Sequence, residues 1–241
     1  MQSQLTPFDG VLLVDKPSGM TSHDVVDRVR RHFGFRKVGH CGTLDPAATG
    51  LLILVLERAT KLQDRLMSDD KTYEGTMLLG VSTDSQDADG EVIAEKPVPP
   101  LTEKDIEEVF AKFRGDIQQV PPMVSAVKHQ GTPLYKLARK GQTVEREPRL
   151  IHIYDLQAIA LARPRIQFRV ACTKGTYVRT LCSDIGDILG CGAHLHDLRR
   201  TRSGNFDVNE AHSLDDILKQ TREQLKAYII PILKFLGSHA A

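Results

Sequence analysis

The longest apolar run in the sequence is GLLILVL, at residues 50–56, and it directly follows the glycine-rich stretch GHCGTLDPAATG at residues 39–50. A membrane-spanning helix needs about 20 apolar residues, so this run is far too short to cross a bilayer. A short apolar run that follows turn residues is typical of a buried strand. We therefore expect a globular chain in which the glycine-rich stretch connects a helix to a buried strand.

The composition is that of an ordinary globular protein. The 241 residues are 41% hydrophobic and 26% charged, which suits one large domain or one domain with a small appendage. The start, MQSQLTPFDG, has no apolar signal-peptide core, so we expect a cytoplasmic protein that does not insert into membranes. The four cysteines form no C-x-x-C pair and no zinc-ligand spacing, which predicts free thiols: Cys41, Cys172, Cys182 and Cys191.

Strands and helices are mixed along the chain without strict alternation. Short apolar or alternating runs predict strands at residues 10–16, 51–57, 72–80, 149–161, 165–173 and 204–208. This order favours an α+β, mixed α/β fold with a central, largely antiparallel mixed sheet and helices on its faces.

Helical periodicity marks the remaining elements. Ser22 is the expected N-cap of the helix HDVVDRVRRHF, which Gly34 ends. Thr102 and Asp105 form a capping-box pattern at the start of a helix that we expect to reach Gly115. Further helices are predicted at residues 59–67 and 178–189, and near residues 214 and 225.

The positive charge is concentrated in three segments, although the net charge is only +1. These are residues 28–37, 128–149 and 198–202, and the second carries six Lys or Arg against two Glu. Such runs are usually solvated faces, but three of them raise the possibility of a polyanionic partner. Residues 118–149 show little periodicity, and we expect them to form a long, mobile excursion.

The glycine-rich stretch allows more than one interpretation. A phosphate-binding loop is excluded, because no Lys follows the last glycine and the order is helix, loop, strand. An ordinary turn is the slightly favoured interpretation on residue statistics alone, since Gly39, Gly42 and Gly50 suit positive φ and Asp45 before Pro46 is common turn chemistry.

Five segments together resemble the motifs of the TruB family of tRNA pseudouridine synthases, in family order. GHCGTLDPAATGLL is similar to the catalytic loop, and VDKPSGMTSHDVV to the N-terminal motif. KTYEGTMLLGVSTDSQDADGE resembles the tyrosine motif, KGTYVRTLCSDIG the arginine motif, and GCGAHLHDLRRTRSG the late basic motif. The resemblance implies a pseudouridine-synthase-like catalytic domain that isomerises uridine 55 in the T-arm loop of tRNA.

The resemblance also implies the catalytic residues. Asp45 matches the family aspartate that attacks or deprotonates the nucleotide, and the sequence leaves both roles open. Arg179 matches the arginine that pairs with this aspartate. Tyr73 matches the tyrosine that packs on the target base and is a candidate for removing the proton from C5. Each has an ordinary alternative: a turn aspartate, a surface arginine and a core tyrosine. A glycosidase would ordinarily place two carboxylates around the bond, whereas this loop offers one.

Further residues are implied to bind the substrate. By resemblance His40 fills the space left by the flipped uridine, although a histidine bonded within a turn is an alternative. Lys71 supports the site, and Tyr177 and Leu198 line the uridine pocket or simply pack. The RNA backbone is expected to contact three cations of the excursion: Lys136, Arg139 and Lys140.

The resemblance sets the remaining expectations. The expected partner is the tRNA T-arm stem-loop, bound by a monomer without cofactor or metal. Residues 1–235 are expected to form the catalytic domain and residues 236–241 a tail, without the small PUA-like RNA-binding domain that bacterial members commonly carry. A non-catalytic tRNA-binding or folding chaperone on the same fold is the alternative function, and a base-releasing hydrolase is a weaker one.

Overall fold

The structure, a computed structural model, describes residues 5–125 and 127–236. The strands are β1 (Gly10–Lys16), β2 (Val38–His40), β3 (Thr49–Leu56), β4 (Lys71–Leu79), β5 (Val81–Thr83), β6 (Val92–Glu95), β7 (Gly115–Gln119), β8 (Lys128–His129), β9 (Thr132–Pro133), β10 (Arg149–Ala162), β11 (Arg165–Cys172), β12 (Ala193–Ser203), β13 (Phe206–Asp207), β14 (His212–Ser213) and β15 (Ile229–Pro231). The α-helices are α1 (Ser22–Phe33), α2 (Gln63–Met67), α3 (Glu103–Ala111), α4 (Leu134–Ala138), α5 (Val178–Ile188), α6 (Leu214–Leu218) and α7 (Leu233–Leu236). Three 3₁₀ turns cover Glu57–Leu62, Val208–Glu210 and Gln224–Tyr228.

The chain divides into two compact units. The first unit contains the described residues up to Lys71 and those from Arg199 onward, and the second contains Thr72–Leu198. The assignment of residues 1–235 to one catalytic domain stays a prediction. Of the predicted tail, residues 237–241 lie outside the described residues. In the described part of the chain, no helix is both long and apolar enough to cross a bilayer.

The first unit is built around β1 and β3. These strands pair antiparallel from Gly10↔Leu56 to Lys16↔Gly50. β1 also pairs with β15 antiparallel and with β14 parallel, while β3 pairs with β2 antiparallel and with β12 parallel. The β3 residues from Leu51 to Leu56 are fully buried, which confirms the predicted buried strand.

The second unit has the strand order β4-β11-β10-β7. β10 pairs antiparallel with both β11 and β7. Residues of α3 and α5 join these strands in one apolar cluster that includes Phe110, Phe168 and Leu181, each fully buried. Mixed and mostly antiparallel strand pairing with packed helices confirms the predicted mixed α/β class.

The start of the first long helix differs from the prediction. The N-cap of α1 is Thr21, not Ser22. The Thr21 hydroxyl accepts the Asp24 N–H at 3.0 Å, and the Asp24 carboxylate accepts the Thr21 N–H at 2.9 Å. The Ser22 side chain points inward, is 1% exposed, and forms a hydrogen bond with the Leu44 backbone. Gly34 ends the helix with φ 64°, as predicted.

Other boundaries also shift. The Thr102–Asp105 capping box is confirmed, but α3 ends at Ala111 and Gly115 begins β7 with φ 88°. The predicted helix at residues 59–67 is a 3₁₀ turn followed by the short α2. The predicted helix near residue 225 is a 3₁₀ turn. The excursion at 118–149 contains the β8–β9 hairpin and α4, while its mobility and RNA contacts stay predictions.

One long strand, β12, was not predicted from the sequence. Its segment AHLHDLRRTRS contains many polar residues, which masks a strand pattern. Three of these polar residues are buried: His194 at 5% exposure, Arg200 at 1% and Ser203 at 0%. His194 bonds through Nδ1 to the Val81 carbonyl at 2.9 Å, and Arg200 is bonded to the glycine-rich loop described below. The strand therefore depends on long-range polar contacts that a local pattern does not show.

Candidate active site

The glycine-rich loop connects β2 to β3 in the first unit. Gly42 and Gly50 have φ values of 90° and 97°, which L side chains rarely adopt. A Cβ on Gly50 would also lie 2.3 Å from the Arg200 carbonyl oxygen. The turn interpretation is therefore correct for Gly42 and Gly50. Glycine is also required at position 50 because the Arg200 backbone approaches it closely. Asp45, half-buried, lies between them.

Two buried side chains bond to the part of the loop before Asp45, and one of them, Arg200, also bonds to Leu51 in β3. The Arg200 guanidinium donates from Nε to the Leu51 carbonyl at 2.7 Å and from Nη2 to the Gly42 carbonyl at 3.1 Å. The Ser22 hydroxyl accepts the Leu44 N–H at 2.9 Å and donates to the Leu44 carbonyl at 3.2 Å. Both contacts satisfy backbone groups that would be costly to bury alone.

A buried lysine holds the part of the loop after Asp45. Lys16 is fully buried at the end of β1. Its Nζ donates to the Pro17 carbonyl at 2.8 Å and the Pro46 carbonyl at 3.1 Å. Burial lowers the pKa of Lys16 from 10.5 to about 8, the Asp45 charge opposes this fall, and the Arg200 charge adds to it. Asp45 is thus within the electrostatic range of a buried ammonium group.

His40 and Lys71 also lie beside this loop. His40 ends β2 opposite Leu54 of β3, and burial, followed by the Arg200 charge, lowers its pKa below 6.5. The ring is therefore neutral at pH 7. Lys71 is 6% exposed, donates to the carbonyls of Met67 and Asp69, and places its Cε 3.7 Å from where a Cβ on Gly42 would lie. The first unit thus places three predicted site residues on or beside this loop: His40, Asp45 and Lys71.

The Cys41 thiol in the same loop is not set up as a nucleophile. Burial raises the pKa of Cys41 to about 12, so the thiol stays protonated at neutral pH. All four cysteines are free, as predicted, and all four are buried. Among residues 5–125 and 127–236, no three His, Cys, Asp or Glu side chains are grouped as metal ligands would be.

In the second unit, Arg179 projects from the first turn of α5. Its side chain is 5% exposed and pairs through Nη1 with the Asp87 carboxylate at 3.1 Å. Its Nη2 donates to the Val124 carbonyl at 2.5 Å, and its guanidinium lies 5.7 Å from the centre of the Tyr177 ring. The predicted pairing of Arg179 with Asp45 stays a prediction, because the two residues belong to different units.

Asp87 is a partner that the sequence analysis missed. Besides Arg179, its carboxylate accepts the Ser85 hydroxyl and the Asp89 N–H, the latter at 3.2 Å. Its backbone bridges to Leu195. The available signal was the acidic stretch DSQDADGE, whose composition does not distinguish Asp87 from its acidic neighbours.

The other predicted pocket residues of the second unit are held by its core. Tyr73 and Leu198 pack against the main apolar cluster. Tyr177 is held by Gln119, 3% exposed, whose amide donates to the Tyr177 carbonyl at 3.1 Å and accepts its N–H at 2.8 Å. Tyr73 and Leu198 therefore pack against the core, whereas Tyr177 is held through its backbone. The contact of all three residues with a uridine stays a prediction.

The three cations of the excursion lie on or beside the short helix α4. Lys136, Arg139 and Lys140 are exposed. Arg139 stacks over Tyr135 with 5.5 Å between its guanidinium carbon and the ring centre, and Leu134, 1% exposed, anchors the helix. Cations displayed on an anchored helix are available to an anionic partner.

The chain is similar to known pseudouridine synthases along its length. The model for the N-terminal domain of TruB family pseudouridylate synthases matches residues 30–178, and the model for the C-terminal domain of tRNA pseudouridylate synthase B matches residues 179–236. The tRNA pseudouridine synthase B of Opitutus terrae is 54% identical over 225 residues, which cover 93% of each chain. That of Syntrophotalea carbinolica is 50% identical and covers 96% of this chain and 76% of its own.

Solved structures agree in fold. A chain in the crystal structure of a Cbf5–Nop10–Gar1 complex superposes with a TM-score of 0.75 at 32% identity. The superposition covers 95% of this chain and 61% of the chain from the complex. A chain in the structure of an H/ACA RNP bound to a substrate RNA containing 2'-deoxyuridine gives a TM-score of 0.67 at 30% identity, with 88% of this chain and 53% of that one covered. The N-terminal family model covers more than half of the sequence, and with these relatives it shows that the chain belongs to the TruB family of pseudouridylate synthases.

Proposed function

We propose that this chain converts uridine 55 in the T-arm loop of tRNA to pseudouridine, with Asp45 as the catalytic carboxylate. The loop around Asp45 carries the proposal. Buried side chains hold the residues on both sides of this aspartate, through Gly42, Leu44 and Pro46. An ordinary surface turn does not need such support, whereas a catalytic group must be fixed to within a fraction of an ångström.

The chemistry requires one carboxylate and no change of oxidation state. The bond between N1 of the uracil and C1′ of the ribose breaks, the base turns, and a bond forms between C5 and C1′. The proton lost from C5 is balanced by a proton gained at N1, so the RNA mass is unchanged. In one route Asp45 attacks the nucleotide, and in the other it removes a proton. In both, Tyr73 packs on the base and Arg179 pairs with the ionised aspartate.

The remaining residues are assigned to binding. A stacked uridine must leave its loop at a cost of a few kcal/mol before it can react. A neutral, flat His40 ring can occupy the vacated space without introducing a buried charge. Lys71, Tyr177 and Leu198 line or support the uridine pocket, and the exposed cations of α4 contact T-arm phosphates.

The test is a tRNA transcript tritiated at C5 of its uridines. We expect tritium release that saturates at one per tRNA, loss of this release when uridine 55 is replaced by cytidine, and an unchanged RNA mass. A T-arm stem-loop alone should also react. A chaperone would bind tRNA without releasing tritium. A hydrolase would release free uracil and leave a hydroxyl group at C1′, so the RNA mass would fall by one base less one water. Either result would refute the proposal.

The variant Asp45→Asn tests whether this residue carries out the chemical step. The amide is nearly isosteric but can act neither as nucleophile nor as base. We expect no tritium release and tRNA affinity within about tenfold of the parent, because affinity depends mainly on phosphate contacts. Asp215→Asn, an exposed change in the same unit, is the matched control and should behave as the parent. Parental activity of Asp45→Asn would remove this residue from the mechanism.

A further inference from the structure

Ser22 makes two hydrogen bonds to the residue directly before Asp45. Its hydroxyl accepts the Leu44 N–H at 2.9 Å and donates to the Leu44 carbonyl at 3.2 Å. The side chain is 1% exposed, so water does not compete for either bond. One hydroxyl therefore satisfies both polar backbone groups of Leu44.

These two bonds constrain the backbone of Asp45 itself. The Leu44 carbonyl belongs to the peptide plane that contains the Asp45 nitrogen, so fixing the first fixes the second. On the other side, the Asp45 carbonyl accepts the Ala48 N–H at 3.1 Å. Pro46 restricts the residue before it to extended conformations. The Ser22 hydroxyl is therefore one of the constraints that fix the backbone from which the Asp45 carboxylate projects.

Ser22 is itself placed by a rigid element. It is the first residue of α1, whose N-terminus is fixed by the reciprocal Thr21–Asp24 capping box. Its neighbours on the same helix, Val25 and Val26, are buried. The position of the hydroxyl is thus determined by the helix and not by the flexible loop that it holds.

We propose that Ser22 is a positioning residue for the pseudouridylation reaction, which orients Asp45 by holding both backbone groups of Leu44. The inference rests on the proposed catalytic role of Asp45. Ser22 touches no reacting atom in this assignment and acts only through the loop. Misplacing a reacting group by about 1 Å can cost on the order of a hundredfold in rate, so the loss of a loop constraint is measurable in the rate of the chemical step.

The experiment compares two serines that bond the same loop. Ser22→Ala removes the bonds before Asp45. Ser18→Ala, the matched control, removes an exposed bond of 3.1 Å to the Ala47 carbonyl, after Asp45. Single-turnover tritium release is measured with enzyme in saturating excess over tRNA, together with tRNA affinity and the melting temperature. Under these conditions the rate constant does not depend on the fraction of enzyme that is folded.

We expect Ser22→Ala to lower the single-turnover rate constant at least tenfold with affinity changed less than threefold, and Ser18→Ala to stay within twofold of the parent in both. A purely structural role would lower the melting temperature and the active fraction but leave the rate constant at saturation unchanged, and this result would overturn the proposal. An equal fall of the rate constant in Ser18→Ala would also overturn it.

A second variant guards against loss of folding. Ser22→Cys keeps the shape of the side chain with one larger atom and replaces the hydroxyl by a weak donor and acceptor. It should fold and still react more slowly than the parent, and a parental rate constant for Ser22→Cys would overturn the role of the hydrogen bonds. If the parent itself releases no tritium, the proposed function fails and the positioning role falls with it. If the parent reacts and the serine variants match it, only the positioning role fails.

Discussion

Lys16→Met should change how the free energy of unfolding depends on pH. Lys16 has no exposed surface, and burial is the main cause that lowers its pKa from 10.5 to about 8. Below about pH 8 the lysine is charged in both states, and the folded protein carries the full cost of burying the charge. Between pH 8 and 10.5 the unfolded chain binds one proton more, so the stability of the parent rises with pH.

The magnitude follows from the size of the pKa change. A fall from 10.5 to about 8 corresponds to roughly 3 kcal/mol of stability gained across this window. Methionine has a similar length and no charge, so the variant lacks this gain. All other ionisable groups are the same in both proteins, so their contributions cancel in the difference between the two.

The measurement is urea denaturation of parent and variant at half-unit steps from pH 7 to 10.5. The stability difference should be constant up to about pH 8 and then move in favour of the parent by about 3 kcal/mol. In an Asp45→Asn background the rise should begin at lower pH, because the Asp45 charge opposes the lowering of the Lys16 pKa. A difference that stays constant within about 0.5 kcal/mol over the whole range would show that the folded protein does not bury a charged lysine.

Three further predictions concern the loop, the excursion and the arginine. Gly175→Ala, at φ 84° in open space, should lower the free energy of unfolding by about 1–2 kcal/mol. Gly50→Ala should lower it at least twice as much, because its Cβ would lie 2.3 Å from a backbone carbonyl oxygen. Equal losses of stability in urea denaturation would contradict this reasoning. Replacing three exposed cations by Gln should lower the slope of log K against log salt by about one per lost phosphate contact and leave turnover at saturating tRNA unchanged, whereas an unchanged slope would make the segment a solvated face. These cations are Lys136, Arg139 and Lys140. Arg179→Lys should react about a hundredfold more slowly than the parent, nearly as slowly as Arg179→Met. One ammonium group cannot reproduce the separate contacts of the guanidinium with Asp87 and a backbone carbonyl. A near-parental single-turnover rate for the Lys variant would refute this geometry.

The predictions of secondary structure are correct where the local sequence determines the structure. β1 and β3 are apolar runs long enough to fill a core, and α3 carries both a capping box and an apolar stripe. The N-cap of α1 was misplaced because Thr21 and Ser22 are both good caps. The choice between them depends on Leu44, 22 residues from Ser22 along the chain, which a local pattern does not include.

The candidate site was predictable only in part. The resemblance identified the residues assigned to the chemistry, but it did not identify the buried polar residues that hold them. Lys16 and Arg200 contact loop residues that are 30 and 158 positions away in the sequence. Sequence patterns treat a lysine or an arginine as exposed, since such residues are almost never buried without partners. Only the folded chain brings these partners together.

The division of the chain has a consequence for folding during synthesis. The second unit is one continuous segment, Thr72–Leu198, whereas the first consists of two segments that flank it. β1 pairs with β14 and β15, so two of its partners leave the ribosome only after the whole second unit. The second unit can acquire its core first. Its folding shortens the effective loop between the two segments of the first unit, and this lowers the entropic cost of bringing those segments together. The loop that carries Asp45 is then completed late, when Arg200 has been synthesised and can bond to Gly42.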